Sequence, residues 1–435
     1  MKRFFRSSMH LIAYLFTPFL FAFGCIVSLF LRYSYSSKYS KPKLVWGATP
    51  IINNVYWSRA MKQHGYISQT FTNSFYSTIN KREDWDILLQ DKYFRSLPLS
   101  IKCIFAFFEA MITYDVFFLS FNGFFLGLTP YWWMESYFLR LAKKKTVLIP
   151  YGSDSYVYRR IRSLNVIHAL LLSYPDAAKY QNSIARRVDY WCARADVVIS
   201  GILGPDGFGR WDLLLKSGLH IDLAEWHSSR RQSSADGLNG TVFIAHAPNH
   251  RGFKGTEFVF EAIRKLQEEG LKVELILIES KQNMEVKDIL ENQTDILLEQ
   301  LLFTGHGLNG LEGLASALPV ISNLEDEPLL RIFRRWSYFS ECPIVSASPE
   351  TITDVLRKLV TRPELRHRLG KAGREYAEKY HGLDSAQYMF GAVIDYLYGR
   401  MDAHTLLNLY NPRTSEYCNR RPKVEHPLVD SRIVD

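Results

Sequence analysis

Cysteine is scarce in this chain and poorly placed for chemistry. The five residues (Cys25, Cys103, Cys192, Cys342 and Cys418) are odd in number, widely scattered and never spaced as Cys-x-x-Cys. That argues against a disulfide framework or a zinc site and fits a reducing compartment. Lysine and arginine never gather into a block of the kind that grips nucleic acid, so nucleic acid is not an expected partner. No internal repeat or low-complexity tract is present, and no Ser-His-Asp or Cys-His arrangement has a context suited to nucleophilic catalysis. Metal chelation has little to stand on either. Asp84-Trp85-Asp86 has the spelling of a carboxylate pair but lies in a polar segment, and Glu325-Asp326-Glu327 reads as an exposed turn. Both are taken as solvated charge, and no metal is expected.

What is present supports well-filled cores. The 435 residues are 47% hydrophobic and 14% aromatic, enough for two domains of ordinary size. A net charge of +9 suits phosphorylated small molecules or an anionic membrane surface. Residues 9–31 (MHLIAYLFTPFLFAFGCIVSLFL) carry no Asp, Glu, Lys or Arg and are long enough to cross a bilayer at about 1.5 Å per residue. No Ala-x-Ala cleavage site follows, so the run reads as an N-terminal anchor rather than a signal peptide. Pro18 near its middle allows either a straight span or a kinked re-entrant anchor. Cations flank both ends (Lys2, Arg3 and Arg6; Arg32, Lys38, Lys41 and Lys43), which hardly separates the two orientations.

Beyond a Ser/Tyr/Lys linker at 33–43, short apolar runs alternate with helical patterns. Strands are expected at 44–47, 114–120, 146–150 and 196–200, with helices through 58–63 and 177–192. A polar Gly/Ser-bearing stretch at 227–240 reads as an interdomain linker. A second series then opens: a strand at 241–245, a helix capped by Thr256 and ended by Gly270, and strands at 273–278, 295–302, 319–322 and 343–345. Residues 363–400 read as helix broken at 381–383, and the tail after 401 as polar, basic and loosely attached. Strands interleaved with helices predict parallel sheets covered on both faces. The expected division is 1–43 anchor and linker, 44–226 first domain, 227–240 linker, 241–383 second domain, and 384–435 return helix and tail.

Three stretches carry chemistry. Pro248-Asn249-His250-Arg251-Gly252-Phe253-Lys254-Gly255-Thr256 puts two cations before a helix. Thr304-Gly305-His306-Gly307-Leu308-Asn309-Gly310-Leu311-Glu312 is a Gly-x-Gly turn opening a helix with a carboxylate in its first turns, and Ala315-Ser316-Ala317-Leu318-Pro319-Val320-Ile321 leads into a strand. A nucleotide diphosphate bound at strand ends needs such cations and exposed N–H groups.

In this order and spacing the three stretches resemble the donor half of retaining GT-B glycosyltransferases, in particular glycosyltransferase family 4, over most of residues 241–390. The resemblance implies an α/β fold of GT-B type, two Rossmann-like domains facing a cleft, behind the N-terminal hydrophobic membrane segment. It implies that Arg251 and Lys254 neutralise the diphosphate leaving group, that Glu312 holds the ribose hydroxyls, and that the donor lies against Thr304, Gly305, His306, Gly307, Leu308 and Asn309. Thr304 stands where the family usually has its first glutamate; Glu299 is nearby but out of register. At 119–123 the family often carries a histidine, and here Asn122 is the hydrogen-bonding side chain. Asn122, Asn54 and Asp154 are the acceptor-side candidates; Asp154 reads equally well as a loop cap. The aromatic stretch 104–140 is either core or a membrane-facing surface.

The implied activity is metal-independent retaining hexosyl transfer at a membrane with no cofactor, the nucleotide-diphosphate sugar being a co-substrate. The implied acceptor is a lipid-linked or membrane glycan on the cytoplasmic side, as in O-antigen, capsule or exopolysaccharide assembly. The alternative is a non-catalytic GT-B-like binding or assembly component of a membrane glycan pathway.

Overall fold

The computed structural model describes residues 2–34, 41–77, 80–200, 208–231 and 233–429. Most of the linker expected at 33–43 and the end of the polar tail lie outside the described residues. The chain divides into two compact units. The first comprises Met1–Ser77, Lys81–Ser155 and Ile184–Ile199, and the second Thr78–Asn80, Tyr156–Ser183 and Ser200–Asp435.

The chain begins with α1 (Lys2–Ser34), which runs as one helix through Pro18. There follow β1 (Leu44–Ala48), α2 (Asn53–Gln63), β2 (Ser68–Thr72), β3 (Ile87–Leu88), α3 (Leu99–Thr113), β4 (Val116–Leu119), α4 (Glu135–Leu141) and β5 (Lys145–Leu148). Next come α5 (Leu164–Ser173), α6 (Pro175–Cys192) and β6 (Val197–Val198). The six strands are all parallel, in the order β3-β2-β1-β4-β5-β6. β1 and β4 are buried at every position, which is why both read as unbroken apolar runs. Trp46 of β1 stacks on Phe118 of β4 with ring centroids 3.7 Å apart. The order reverses between β1 and β4, so the crevice beyond their carboxyl ends is the topological switch point of this sheet. The helix after β1 starts at Asn53, earlier than the apolar pattern through 58–63 indicates, and takes Asn53 and Asn54 into its first turn.

In the second unit the chain continues through β7 (Val242–His246), α7 (Arg251–Lys254), α8 (Thr256–Glu268), β8 (Val273–Leu277), α9 (Asn283–Asn292) and β9 (Ile296–Thr304). It proceeds through α10 (Leu308–Ala315), β10 (Val320–Asn323), α11 (Glu327–Trp336), β11 (Val345–Ser346), α12 (Ile352–Thr361), α13 (Pro363–Tyr380) and α14 (Leu383–Leu397). Two short helices, α15 (Ala403–Leu407) and α16 (Glu416–Asn419), follow. This sheet is also parallel, ordered β11-β10-β9-β7-β8, with its switch point between β7 and β9. Val259, Ala262, Ile263 and Leu266 of α8 pack into one core with Val242, Ile244 and Leu298. Gly255, at φ +73°, separates α7 from α8.

Three expectations are corrected here. Thr256 does not cap α8: it is the first helical residue, and its hydroxyl meets His246 Nε2 at 2.9 Å instead. The stretch read as a linker at 227–240 falls within the second unit, where the Ser229 and Arg230 N–H groups donate to the Ser316 and Glu291 carbonyls and the Arg366 guanidinium donates to the carbonyls of Ser233 and Ala235. Nor is the tail loose over its described part. Tyr410, Tyr417 and Cys418 are buried, Tyr417 stacks on Tyr388 at 4.1 Å, and Glu341 accepts the Val424 N–H at 2.9 Å. Its aromatic residues outweigh the polar composition that suggested otherwise.

Helix α13 crosses the end of α10 closely enough to exclude any side chain at Gly370, where a Cβ would lie 2.0 Å from the Ala317 carbonyl oxygen. Because that neighbour is backbone, it yields only by moving a helix. Gly370→Ala is expected to destabilise the chain by about 2 kcal/mol in urea unfolding; an unchanged midpoint would show that α13 does not lie this close.

Candidate functional site

At the carboxyl ends of β7 and β9 the second unit brings its chemistry-bearing residues together. The centre is a buried network. Lys254 at the end of α7 places its ammonium 3.2 Å from Glu299 Oε1 and 2.9 Å from Gln300 Oε1. Glu299 Oε1 also accepts the Gly307 N–H at 2.6 Å, while Gln300 donates to the carbonyls of Phe303 and Gly305 at 2.9 and 2.7 Å. The pairing of β9 with β10 explains how adjacent residues share one cation: the register skips Glu299 between the Leu298–Ile321 and Gln300–Ser322 pairs. Such a bulge re-aims successive side chains.

The network supports the turn the sequence singles out. Gly305, at φ +106°, adopts a backbone conformation that side chains disfavour, and its N–H donates to the Asn323 carbonyl at 2.8 Å. Glu299 crowds the glycines that follow: a Cβ would sit 3.1 Å from its Oε1 at Gly307 and 2.1 Å from its Oε2 at Gly310. No side chain caps α10, whose first-turn N–H groups at Leu308 and Asn309 have no acceptor within the helix. Thr304 is buried at the end of β9, opposite Asn323. His306 is buried between the glycines with its Nε2 unpartnered, and burial holds its imidazole below the usual range, in the neutral form.

Glu312 projects from α10 and is 6% exposed, with Asn309 Nδ2 3.4 Å from Oε2. Burial pushes its carboxyl up to about 7; the Asn309 hydrogen bond opposes this and the nearby Glu299 charge adds to it. Arg251 differs from Lys254 in every respect. It is exposed at the start of α7 and pairs in two-pronged fashion with Glu279, both contacts at 2.8 Å. Sequence reasoning missed two participants. Glu299 looked out of register, although it underlies the turn. Lys216 belongs to no motif, yet it is buried with its ammonium 2.9 Å from where a Gly305 side chain would begin.

In the first unit, the acceptor-side candidates occupy the ends of β1, β4 and β5. Asn54 donates to the Thr49 carbonyl at 3.1 Å, and the Thr49 and Ser120 hydroxyls lie 3.4 Å apart. Asn122 donates to the Tyr151 hydroxyl at 2.9 Å. Asp154 accepts the N–H groups of Phe121, Tyr151 and Gly152 at 2.9, 3.1 and 3.0 Å. It therefore ties the loop after β4 to the loop after β5, although burial still pushes its carboxyl up to about 6. The Asp84/Asp86 pair has structural duties: Asp86 accepts the Thr70 N–H at 2.8 Å and meets the Lys62 ammonium, and Asp84 accepts the Lys81 N–H. Asp86 thus braces β2 rather than standing as solvated charge. Among the described residues no group of three or more His, Cys, Asp or Glu is placed to hold a metal.

No family model and no curated protein matches the sequence. Solved structures match it at low identity. A Listeria monocytogenes protein described as a UDP-N-acetylglucosamine 2-epimerase is 11% identical over 84% of this chain and 98% of its own, with a TM-score of 0.45. The wall teichoic acid polymerase TagF is 10% identical over 92% and 98%, at 0.39. The UDP-GlcNAc 2-epimerase of Neisseria meningitidis, bound to UDP-GlcNAc, is 11% identical over 81% and 99%, at 0.38. Likeness at this level does not extend to residues or activity.

Glu312 generates a pH prediction. Its folded pKa lies above the unfolded value, so its contribution to stability is complete below about 4.5 and is lost as pH rises through about 7. Glu312→Gln, neutral at every pH, should gain on the wild type between pH 4 and pH 8 by up to about 3 kcal/mol in urea unfolding. A stability difference independent of pH would show that Glu312 is not held in its acid form.

Proposed function

We propose that the chain is a membrane-associated, metal-independent retaining glycosyltransferase of GT-B type, taking a hexose from a nucleotide-diphosphate sugar to a lipid-linked glycan. The setting is surface polysaccharide assembly, with α1 as the anchor and both units on the cytoplasmic side. One observation carries the reading. The cation-bearing α7 and the Gly305–Gly307 turn with Glu312 behind it converge at the switch point of a parallel sheet, where such sheets bind nucleotides.

In this reading the diphosphate lies along the turn and the first-turn N–H groups of α10. The exposed guanidinium of Arg251 exchanges Glu279 for the phosphates, a two-pronged acceptor of the same kind. As the sugar C1–oxygen bond breaks, the negative charge gathering on the diphosphate is met by Arg251 and the turn. The acceptor hydroxyl oxygen bonds to C1 on the face the diphosphate leaves, and its proton passes to the departing phosphate oxygen. Glu312 accepts hydrogen bonds from the ribose diol, which draw its pKa down from about 7 and favour the carboxylate. Lys254 contributes by holding the turn: both of its side-chain partners are protein groups.

A second reading, a non-catalytic nucleotide-sugar binder in a membrane glycan pathway, draws on that same neutralised Lys254 and on Thr304 at the position where relatives carry a glutamate. Nucleoside diphosphate release from a panel of nucleotide sugars, with membrane lipid extract as acceptor, separates the two. Wild type should turn over at least one donor, and Arg251→Ala should lower that turnover by about 100-fold or more without changing thermal unfolding, since Arg251 is exposed. Tight binding with no turnover across the panel would establish the second reading.

A further inference from the structure

The unexplained feature of the first unit is a largely apolar surface, built from three helices, that the glycosyl-transfer reading does not use. Between Leu15 and Leu31 helix α1 carries no charge yet is not free. Its inward line, Phe21, Gly24 and Ser28, recurs at helical spacing and packs on the unit. Phe21 stacks on Tyr137 of α4 with centroids 5.3 Å apart, and the Ser28 hydroxyl meets the Met111 sulfur of α3 at 3.8 Å. Gly24 lets the helix come close: a Cβ there would lie 2.3 Å from the Phe138 ring.

The outward line of α1 is equally apolar and has no cover: Phe16, Phe19, Ile26 and Phe30 are all more than 60% exposed. The surface continues onto the domain. On α3, residues 101, 105, 108 and 112 form one stripe; Phe108 packs edge-on against Phe23 of α1, and Ile101, Phe105 and Ile112 beside it are 39%, 51% and 59% exposed. Trp133, in the turn before α4, and Tyr137 of α4 are 45% and 48% exposed four residues apart, and Arg140, one turn beyond Tyr137, is exposed beside them. Of the charges of α3, Lys102 is buried, and Glu109, one turn from Phe105, is paired with Lys92 and the Tyr93 hydroxyl.

We propose that the joint face of α1, α3 and α4 is embedded in the lipid of a bilayer leaflet, with α1 a docked part of the first unit rather than a free tether. The chemistry fits lipid. Leu15–Ser34 is about 30 Å of helix without an acidic residue, its sole cation, Arg32, is in the last turn, and Trp133, Tyr137 and Arg140 beside it suit the interface. The inference rests on the membrane attachment proposed above and is independent of the chemistry at the donor site.

The full-length chain, with Cys25→Ser and Phe105→Cys labelled by an environment-sensitive fluorophore, is added to phosphatidylcholine–phosphatidylglycerol vesicles. The label should shift to the blue and be quenched by brominated lipid, and Ile101→Asp/Phe105→Asp/Ile112→Asp should weaken vesicle partitioning about ten-fold or more. Vesicle binding with an unshifted label and an unaffected triple variant would overturn the embedded face while leaving α1 as a simple anchor. A wild type that does not bind vesicles would overturn membrane attachment itself. A blue shift without lipid, accompanied by dimers on size exclusion, would assign the face to a second copy.

Discussion

The buried contact between Lys254 and Glu299 is the constraint on which the second unit's site depends. Both side chains lie away from water, so neither tolerates the loss of the other; removing one partner of such a pair costs about 3–5 kcal/mol. The contact fixes three things together. It anchors the end of α7, it requires the bulge in β9 that turns Glu299 and Gln300 toward one cation, and through the Gly307 N–H it sets the height of the turn that opens α10. The left-handed Gly305 and the crowded Gly307 follow from a turn pulled down onto a carboxylate. The remaining first-turn N–H groups of α10 are then the ones left for a ligand, and the exposed Arg251 is the cation free to change partners.

The first unit solves a similar problem with backbone rather than a cation. Asp154 collects three N–H groups from two loops and so fixes the ends of β4 and β5 relative to each other, next to the switch point at β1 and β4. Of the side chains proposed for the acceptor, Asn122 is held by the Tyr151 hydroxyl within these loops and Asn54 by the Thr49 carbonyl after β1. In both units a buried carboxylate organises strand-end loops, which suits sites that must present backbone and amide groups in fixed geometry.

Strands whose runs are continuously apolar were legible, as at Leu44–Ala48 and Val116–Leu119, whereas β2, which alternates polar and apolar residues as Ser-Gln-Thr-Phe-Thr, and the two-residue β3 were not. The glycine turn was legible because its spacing to Glu312 is local. Partners distant in sequence were not: Lys254 read as a phosphate cation because nothing near residue 254 announces a carboxylate at 299, and a bulge is invisible to a period-2 pattern. Thr256 read as a cap because it precedes an apolar helical pattern, and nothing in that pattern announces its partner His246 at the end of β7. The tail read as loose because its charges outnumber Tyr410 and Tyr417, which carry the burial. Helix α1 read correctly as apolar, but only contacts with Tyr137, Phe138 and Met111 reveal that one side of it is docked.

The central claim is that a nucleoside diphosphate is gripped at the β7/β9 switch point. Hydrogen–deuterium exchange of the full chain, with and without nucleoside diphosphates tried one at a time, tests it directly. The account predicts that at least one of them slows exchange in peptides covering 248–257 and 304–313. Slowed exchange confined to the strand-end loops of the first unit, or none with any nucleotide, would contradict it.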